Sequence, residues 1–369
     1  MKIVTIGAGA HAALTHGPAL AAIAAREPDL ELAAVCDIRR GRAEQFSRQF
    51  GFRRVYTDYE EMLDLEQPSG VTLLVSEAMT AEIGSAILRR NIPLLLEKPP
   101  GRNMREHNLL LQAYRLRRTP HLVAFNRRYM PLVTQARRLW QQLVPPEKLQ
   151  SIRCDFYRHN RHDPDFSTTA IHGIDLVAFL ADASYTESRI QLQRNQAGEC
   201  TTISLWCEMS GNICTQFLFC PQAGCSFERI HMVSEHYAMT LELPALGTSD
   251  IPGRIVLYHK GRLLREIPMA GAAGEDESFL LGGFYHENLA FVEMVRRGQF
   301  NPANADLERV VSIVRVTEMV SRAISAPVAA VQVYCHMYKF RFLPVKMEAG
   351  ENPARSRRCM RIRPLHCCH

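Results

Sequence analysis

Gly7, Gly9 and Ala12 stand in the spacing Gly-x-Gly-x-x-Ala directly after an apolar run at residues 3–6. In such a turn the first glycine reverses the chain between strand and helix. The second lets the backbone approach a pyrophosphate, and the small third residue lets the helix pack on the strand. Ala10, His11 and Ala12 open that helix, whose unpaired N–H groups and positive dipole end suit phosphate oxygens. Asp37 closes a second apolar run at 31–36. A carboxylate there hydrogen-bonds a ribose 2′-OH and repels a 2′-phosphate, which favours NAD. Beyond Ile38, however, Arg39 and Arg40 are guanidinium groups able to clamp a 2′-phosphate, so NADP stays open.

A nicotinamide dinucleotide implies hydride transfer to or from a carbinol carbon, with a base for the hydroxyl proton and a group to hold its oxygen. Glu97-Lys98-Pro99 follows an apolar run at 93–96, and Asn126-Arg127 follows another at 122–125. In an open α/β sheet, ligands bind beyond the carboxyl ends of strands, so both segments reach the site. Lys98 is the candidate to hold the oxygen, since desolvation and an oxidised nicotinamide would lower its pKa towards a usable range. A Lys before Pro also adopts a cis peptide at low cost. His172 is the candidate base, because imidazole titrates near neutral pH.

The elements that must position these residues read as two kinds of unit. Residues 3–6, 31–36, 71–75, 93–96 and 122–125 are short apolar strands of a sheet buried on both faces, separated by helical stretches such as 17–26 and 42–50. After about residue 150 the period changes to two. Strands are expected around 152–156 and 203–207, and at 212–219, 229–234, 237–243, 254–259 and 262–267. The expected fold class is therefore α/β plus α+β: an N-terminal doubly wound parallel sheet of Rossmann type (1–121), then a C-terminal domain with a large, mostly antiparallel open sheet (122–326). Amphipathic helices at 287–297 and 306–324 close the second unit.

The net charge of +6 does not mark a nucleic-acid face. Residues 327–369 hold eight Lys/Arg against two Glu, and the preceding chain is balanced at 36 of each sign. That basic stretch has no apolar period and reads as a disordered tail. Four of the 11 cysteines lie in it, the end Leu365-His366-Cys367-Cys368-His369 lacks the usual ligand spacing, and no CxxC pair occurs, so no metal is expected. Cys154, Cys207 and Cys214 fall in apolar strand patterns as small hydrophobes. With no membrane-spanning run and no leader pattern, a cytoplasmic protein is expected, with neither membrane nor nucleic-acid partners.

Taken together, the turn, Glu97-Lys98-Pro99, Asn126-Arg127-Arg128-Tyr129-Met130-Pro131, Thr169-Ala170-Ile171-His172-Gly173-Ile174-Asp175 and Phe284-Tyr285-His286-Glu287-Asn288 resemble the Gfo/Idh/MocA oxidoreductase family. The resemblance implies NAD or NADP, a sugar, cyclitol or related polyol substrate, a homo-oligomer paired through the open sheet, and catalytic roles for Lys98 and His172. It also exposes two departures. Thr168 stands where the family usually has an aspartate one helical turn before this histidine; it retains a hydroxyl for a substrate but no carboxylate, leaving Asp165 or Asp163 as replacements. Asp175 reads as structural. The family's Thr-Pro turn after the third strand reads Val75-Ser76-Glu77, where Ser76 keeps a donor for the cofactor, and Thr80 replaces a histidine. Two other outcomes share the fold: a non-catalytic cofactor-binding regulator, and a glycosidase that oxidises its substrate transiently with NAD.

Overall fold

The computed structural model describes residues 1–159, 161, 165–244, 253–269, 278–298, 304–326 and 333–336. Six parallel strands form the first sheet: β1 (Lys2–Ile6), β2 (Glu31–Cys36), β3 (Arg54–Tyr56), β4 (Gly70–Leu73), β5 (Leu94–Glu97) and β6 (His121–Ala124). Their order, β3-β2-β1-β4-β5-β6, reverses direction at β1 and places the glycine turn at that switch. The connecting helices are α1 (Ala10–Leu14), α2 (His16–Ala24), α3 (Arg40–Phe50), α4 (Tyr59–Glu66), α5 (Glu77–Arg89) and α6 (Met104–Arg117). The sequence reading has one helix at 17–26. Instead the chain forms a five-residue helix directly after the turn, bends at Thr15 and continues as α2. The reading also omits β3, a three-residue edge strand with no fully buried position to give it a pattern.

After α7 (Pro131–Leu143), strands β7 (Leu149–Tyr157), β8 (Tyr185–Arg194), β9 (Cys200–Met209), β10 (Ile213–Cys220), β11 (Phe227–Ser234), β12 (Tyr237–Leu243), β13 (Arg254–His259), β14 (Arg262–Pro268) and β15 (Val333–His336) make a nine-stranded sheet. Its order is β14-β13-β12-β11-β7-β10-β9-β8-β15, and every pairing is antiparallel except that of β7 with β10. The two-residue period thus marks a real sheet, although it does not reveal β8. Strand β15 lies in the stretch whose composition suggests disorder; the rest of 327–369, including the terminal His and Cys residues, is outside the described residues. Cys154 and Cys207 face inward, but Cys214 is exposed, because its register on β10 sends it to the outer face.

Helices α8 (Ser167–Ala181) and α11 (Val311–Ser325) cover the inner face of this sheet, and the pair α9 (Ser278–Leu281) and α10 (Phe284–Arg297) returns to the first domain. Gly173 lets α8 lie close on the sheet: a Cβ there would stand 3.1 Å from Cys154 Sγ and 3.1 Å from the Phe219 ring. Helix α10 buries Phe291, Val292 and Met294 in one cluster with Ile3, Leu20 and Leu95 of the parallel-sheet domain. No helix among the described residues is long and apolar enough to cross a membrane.

Candidate active site

The turn after β1 has the conformation that its glycines suggest. Gly7 has φ +99°, and a Cβ on it would lie 2.4 Å from the Leu74 carbonyl oxygen. Around Gly9, by contrast, a Cβ would meet nothing within 4 Å, so the space in front of the turn is open for a pyrophosphate. Ala12 is buried behind it. Asp37 braces this cradle: Oδ2 accepts from Ala8 N at 2.9 Å and Oδ1 from Arg39 N at 2.9 Å. A carboxylate has acceptor capacity beyond two hydrogen bonds, so a ribose hydroxyl still fits. Ile38, 87% exposed, projects beside it. Ser76 is exposed at the start of α5. These residues fit a dinucleotide.

Glu97, Lys98 and the cis bond to Pro99 follow β5. Buried Glu97 is surrounded by donors: Oε1 lies 3.0 Å from His11 Nε2 and 2.9 Å from His16 Nε2, and Oε2 accepts from the Lys98 backbone N–H at 3.0 Å. Burial opposes its charge, but the two histidines hold its carboxyl well below the usual range. The three ligating atoms lie within 4.8 Å of one another, yet each already has a hydrogen-bond partner, so the arrangement requires no ion. On its far side, His16 Nδ1 is 2.9 Å from the Asn288 Nδ2 of α10.

The Lys98 ammonium donates to the Thr168 carbonyl oxygen at 3.1 Å, which draws the start of α8 to the carboxyl end of the parallel sheet. Burial lowers the Lys98 pKa; Glu97 opposes this, while Arg127 and Arg161 add to it. His172 follows one turn further along α8. Its Nδ1 is buried without a hydrogen-bond partner among the described residues, and its pKa is driven well down by burial and then by Arg127, Lys98 and Arg158. A cleft of about 850 Å³ has Glu77, Pro99, Arg102 and Thr168 on its walls; it reaches the neighbours of Lys98 in the chain, while Lys98 and His172 do not line it.

Several expected contacts are made differently. The Thr168 hydroxyl, expected to face a substrate, donates to the Asp165 carbonyl oxygen at 3.2 Å. The Asp165 carboxylate accepts from Ser167 N at 2.9 Å and Ser321 Oγ at 2.6 Å, so it does not partner His172; Asp163 is outside the described residues. Asn126 is buried and donates to the Gly282 carbonyl oxygen at 2.8 Å, fixing the approach to α10. Arg127 makes its side-chain hydrogen bonds to the second sheet. Its Nε and Nη2 grip Glu228 of β11 at 2.7 and 2.5 Å, and Arg158 donates to the same carboxylate. Asp175 forks onto Arg128 at 2.6–3.1 Å as a buried structural pair.

Sequence reasoning missed His16, Arg158 and Glu228. A signal existed for the last, since Glu228 shares the inward parity of Ile230 and Met232 on β11, where a carboxylate must have a partner.

A parallel sheet with a glycine turn at its switch point and a lysine at the end of β5 defines a dinucleotide-dependent oxidoreductase fold. Residues 1–124 match the Gfo/Idh/MocA model, the oxidoreductase family with an NAD-binding Rossmann fold. No curated protein matches the sequence. Among solved structures, a dehydrogenase from Chromobacterium violaceum is 18% identical with a TM-score of 0.74, over 88% of this chain and 94% of that one. A Gfo/Idh/MocA family oxidoreductase from Vibrio cholerae is 20% identical with a TM-score of 0.71, over 88% and 98%. Levoglucosan dehydrogenase in complex with NADH and L-sorbose is 15% identical with a TM-score of 0.73, over 90% and 98%. At these identities the likeness is one of fold, and it spans both domains.

Proposed function

We propose that the chain is an NAD(P)-dependent dehydrogenase or reductase, using NAD by preference, that interconverts hydroxyl and carbonyl groups on a sugar, cyclitol or related polyol. The observation that carries this reading is the Lys98–Thr168 contact, which sets an ammonium beside the helix that carries His172. When bound, the nicotinamide supplies the hydride acceptor or donor. Lys98 holds the reacting oxygen and stabilises charge developing on it. His172, neutral at physiological pH because its pKa is lowered, is free to take the hydroxyl proton. Gly9 and Asp37 receive the pyrophosphate and the ribose. The outer face of the nine-stranded sheet, with Trp206 and Tyr258 about 40% exposed, is the surface for pairing with a second copy.

The test is to incubate the purified chain with NAD or NADP and a polyol panel, following absorbance of the reduced cofactor. Turnover that is abolished in Lys98→Ala, with cofactor binding retained, supports the proposal. Tight cofactor binding without turnover across the panel replaces it with a cofactor-binding regulator, the outcome favoured by the lack, among the described residues, of a carboxylate partner on His172. Release of an aglycone without net reduced cofactor would identify a glycosidase.

A further inference from the structure

The floor of the site carries more positive than negative charge. Arg127, in the turn after β6, and Arg158, at the end of β7, share the single carboxylate of Glu228. Both guanidinium groups lie near the Phe156 ring, at 5.6 and 5.4 Å from its centre. The acid is 1% exposed, while the two arginines keep 13% and 10% of their side-chain surface exposed. One negative charge therefore serves two buried positive ones. Lys98 adds another cation, on which the carboxylate charges of Glu97 and Glu77 act in the opposite sense to Arg127. The nearby Glu97 is already engaged by His11 and His16.

An excess of buried charge is costly, and a fold retains it where a ligand completes the pairing. The donors for such a ligand are present. Among the described residues, Arg127 uses Nε and Nη2 on Glu228, and Arg158 uses Nη1 on the Tyr157 carbonyl and Nη2 on Glu228. Nη1 of Arg127 and Nε of Arg158 make no hydrogen bond there. A second observation points the same way: the buried Nδ1 of His172 has no partner, and no carboxylate of the described residues hydrogen-bonds the ring.

We propose that the substrate is an anion, a sugar-like hydroxy acid or sugar phosphate, whose carboxylate or phosphate is received by Arg127 and Arg158 beside Lys98. This rests on the dehydrogenase reading and narrows it. The bound anion has a second effect. Burial is the main cause that makes His172 a weak base, and the cations add to it; their share is offset when a negative charge arrives, so the imidazole gains proton affinity when an acidic substrate is in place. Selection between an acid and its neutral counterpart then shows in the chemical step as well as in binding.

The experiment is calorimetric titration of the full chain, saturated with NAD, with matched pairs: uronates against their amides, aldonates against alditols, and sugar 6-phosphates against free sugars. The expected result is that members of an acidic series bind about tenfold or more tightly than their neutral partners, the scale of a charge-assisted hydrogen bond. The preference should shrink as salt screens the charges. Carboxylates and phosphates are separate arms, so the tighter series identifies the group. Arg158→Gln leaves Arg127 and Glu228 as a neutral pair and should collapse the acid preference to within about threefold. The native-chain comparison stands even if that variant misfolds. If no acid or phosphate binds more tightly than its neutral partner, the proposal is overturned. Neutral polyols turned over without any acid preference would remove this inference and leave the dehydrogenase standing. Acid-selective binding without cofactor reduction would do the reverse.

Discussion

Lys98 and Thr168 meet through the backbone: the ammonium donates to the threonine's carbonyl oxygen at 3.1 Å, while the threonine hydroxyl turns away to the Asp165 carbonyl. Position 168 therefore orients Lys98 through a group that every amino acid possesses. Thr168→Val should keep kcat/KM within about threefold, because the carbonyl contact survives the change. It should cost about 1 kcal/mol of stability for the lost hydrogen bond. A loss of activity comparable with that of Lys98→Ala, in steady-state kinetics, would assign the hydroxyl a direct role.

The two glycines of the turn should fail differently. Gly7→Ala forces a side chain onto φ +99° and against the Leu74 carbonyl, so the unliganded protein should lose at least ~1 kcal/mol. Gly9→Ala has room and an ordinary φ of −74°, and thermal unfolding without cofactor should change by less than about 0.5 kcal/mol. Its defect should appear as weakened NAD binding, measured by titration.

Glu287 on α10 is fully buried, neither carboxylate oxygen has a hydrogen-bond partner among the described residues, and burial followed by the charges of Glu97 and Asp175 pushes its pKa well up. The folded chain keeps this proton while the unfolded chain releases it above the ordinary glutamate range. Stability is therefore lost as pH rises, by up to about 1.4 kcal/mol per unit, until the folded group itself ionises. Glu287→Gln should match the wild type near pH 4 and exceed its Tm at pH 8. Parallel Tm–pH curves for the two proteins would contradict this.

Removing Glu228 strands two buried guanidinium groups at once. Glu228→Gln should lower stability by about 3–5 kcal/mol, whereas Arg158→Gln, which leaves a neutral pair, should cost much less. Urea denaturation midpoints of the two variants test the ordering.

Much of this architecture is legible in the sequence because burial writes a period into the strands. Residues 31–36, 237–243 and 254–259 coincide with β2, β12 and β13. The strands that escape notice are short or carry polar residues on both faces, as in β3 and in β8, where Thr186, Glu187 and Arg189 interrupt the pattern. The glycine turn and Lys98 are readable because their chemistry is local. Glu228, 101 residues from Arg127, and His16, 81 residues from Glu97, acquire meaning only when the sheets bring those pairs together. Direction is equally invisible: nothing in the chain order says that the Asn126 amide will donate to the Gly282 carbonyl.

Helix α10 gives the cofactor domain a debt to the far end of the chain. Phe291, Val292 and Met294 complete a core begun by Ile3, and Asn288 holds His16 in place behind Glu97. During synthesis, at about 5–20 residues per second, the parallel sheet must wait roughly ten to thirty seconds for that helix to emerge. Throughout that interval the groove for α10 is bare and His16 lacks its outer anchor. A nascent chain released before α10 would thus carry every residue of the dinucleotide turn and still present an unfinished surface, a natural point for chaperones to hold it and for quality control to discard it.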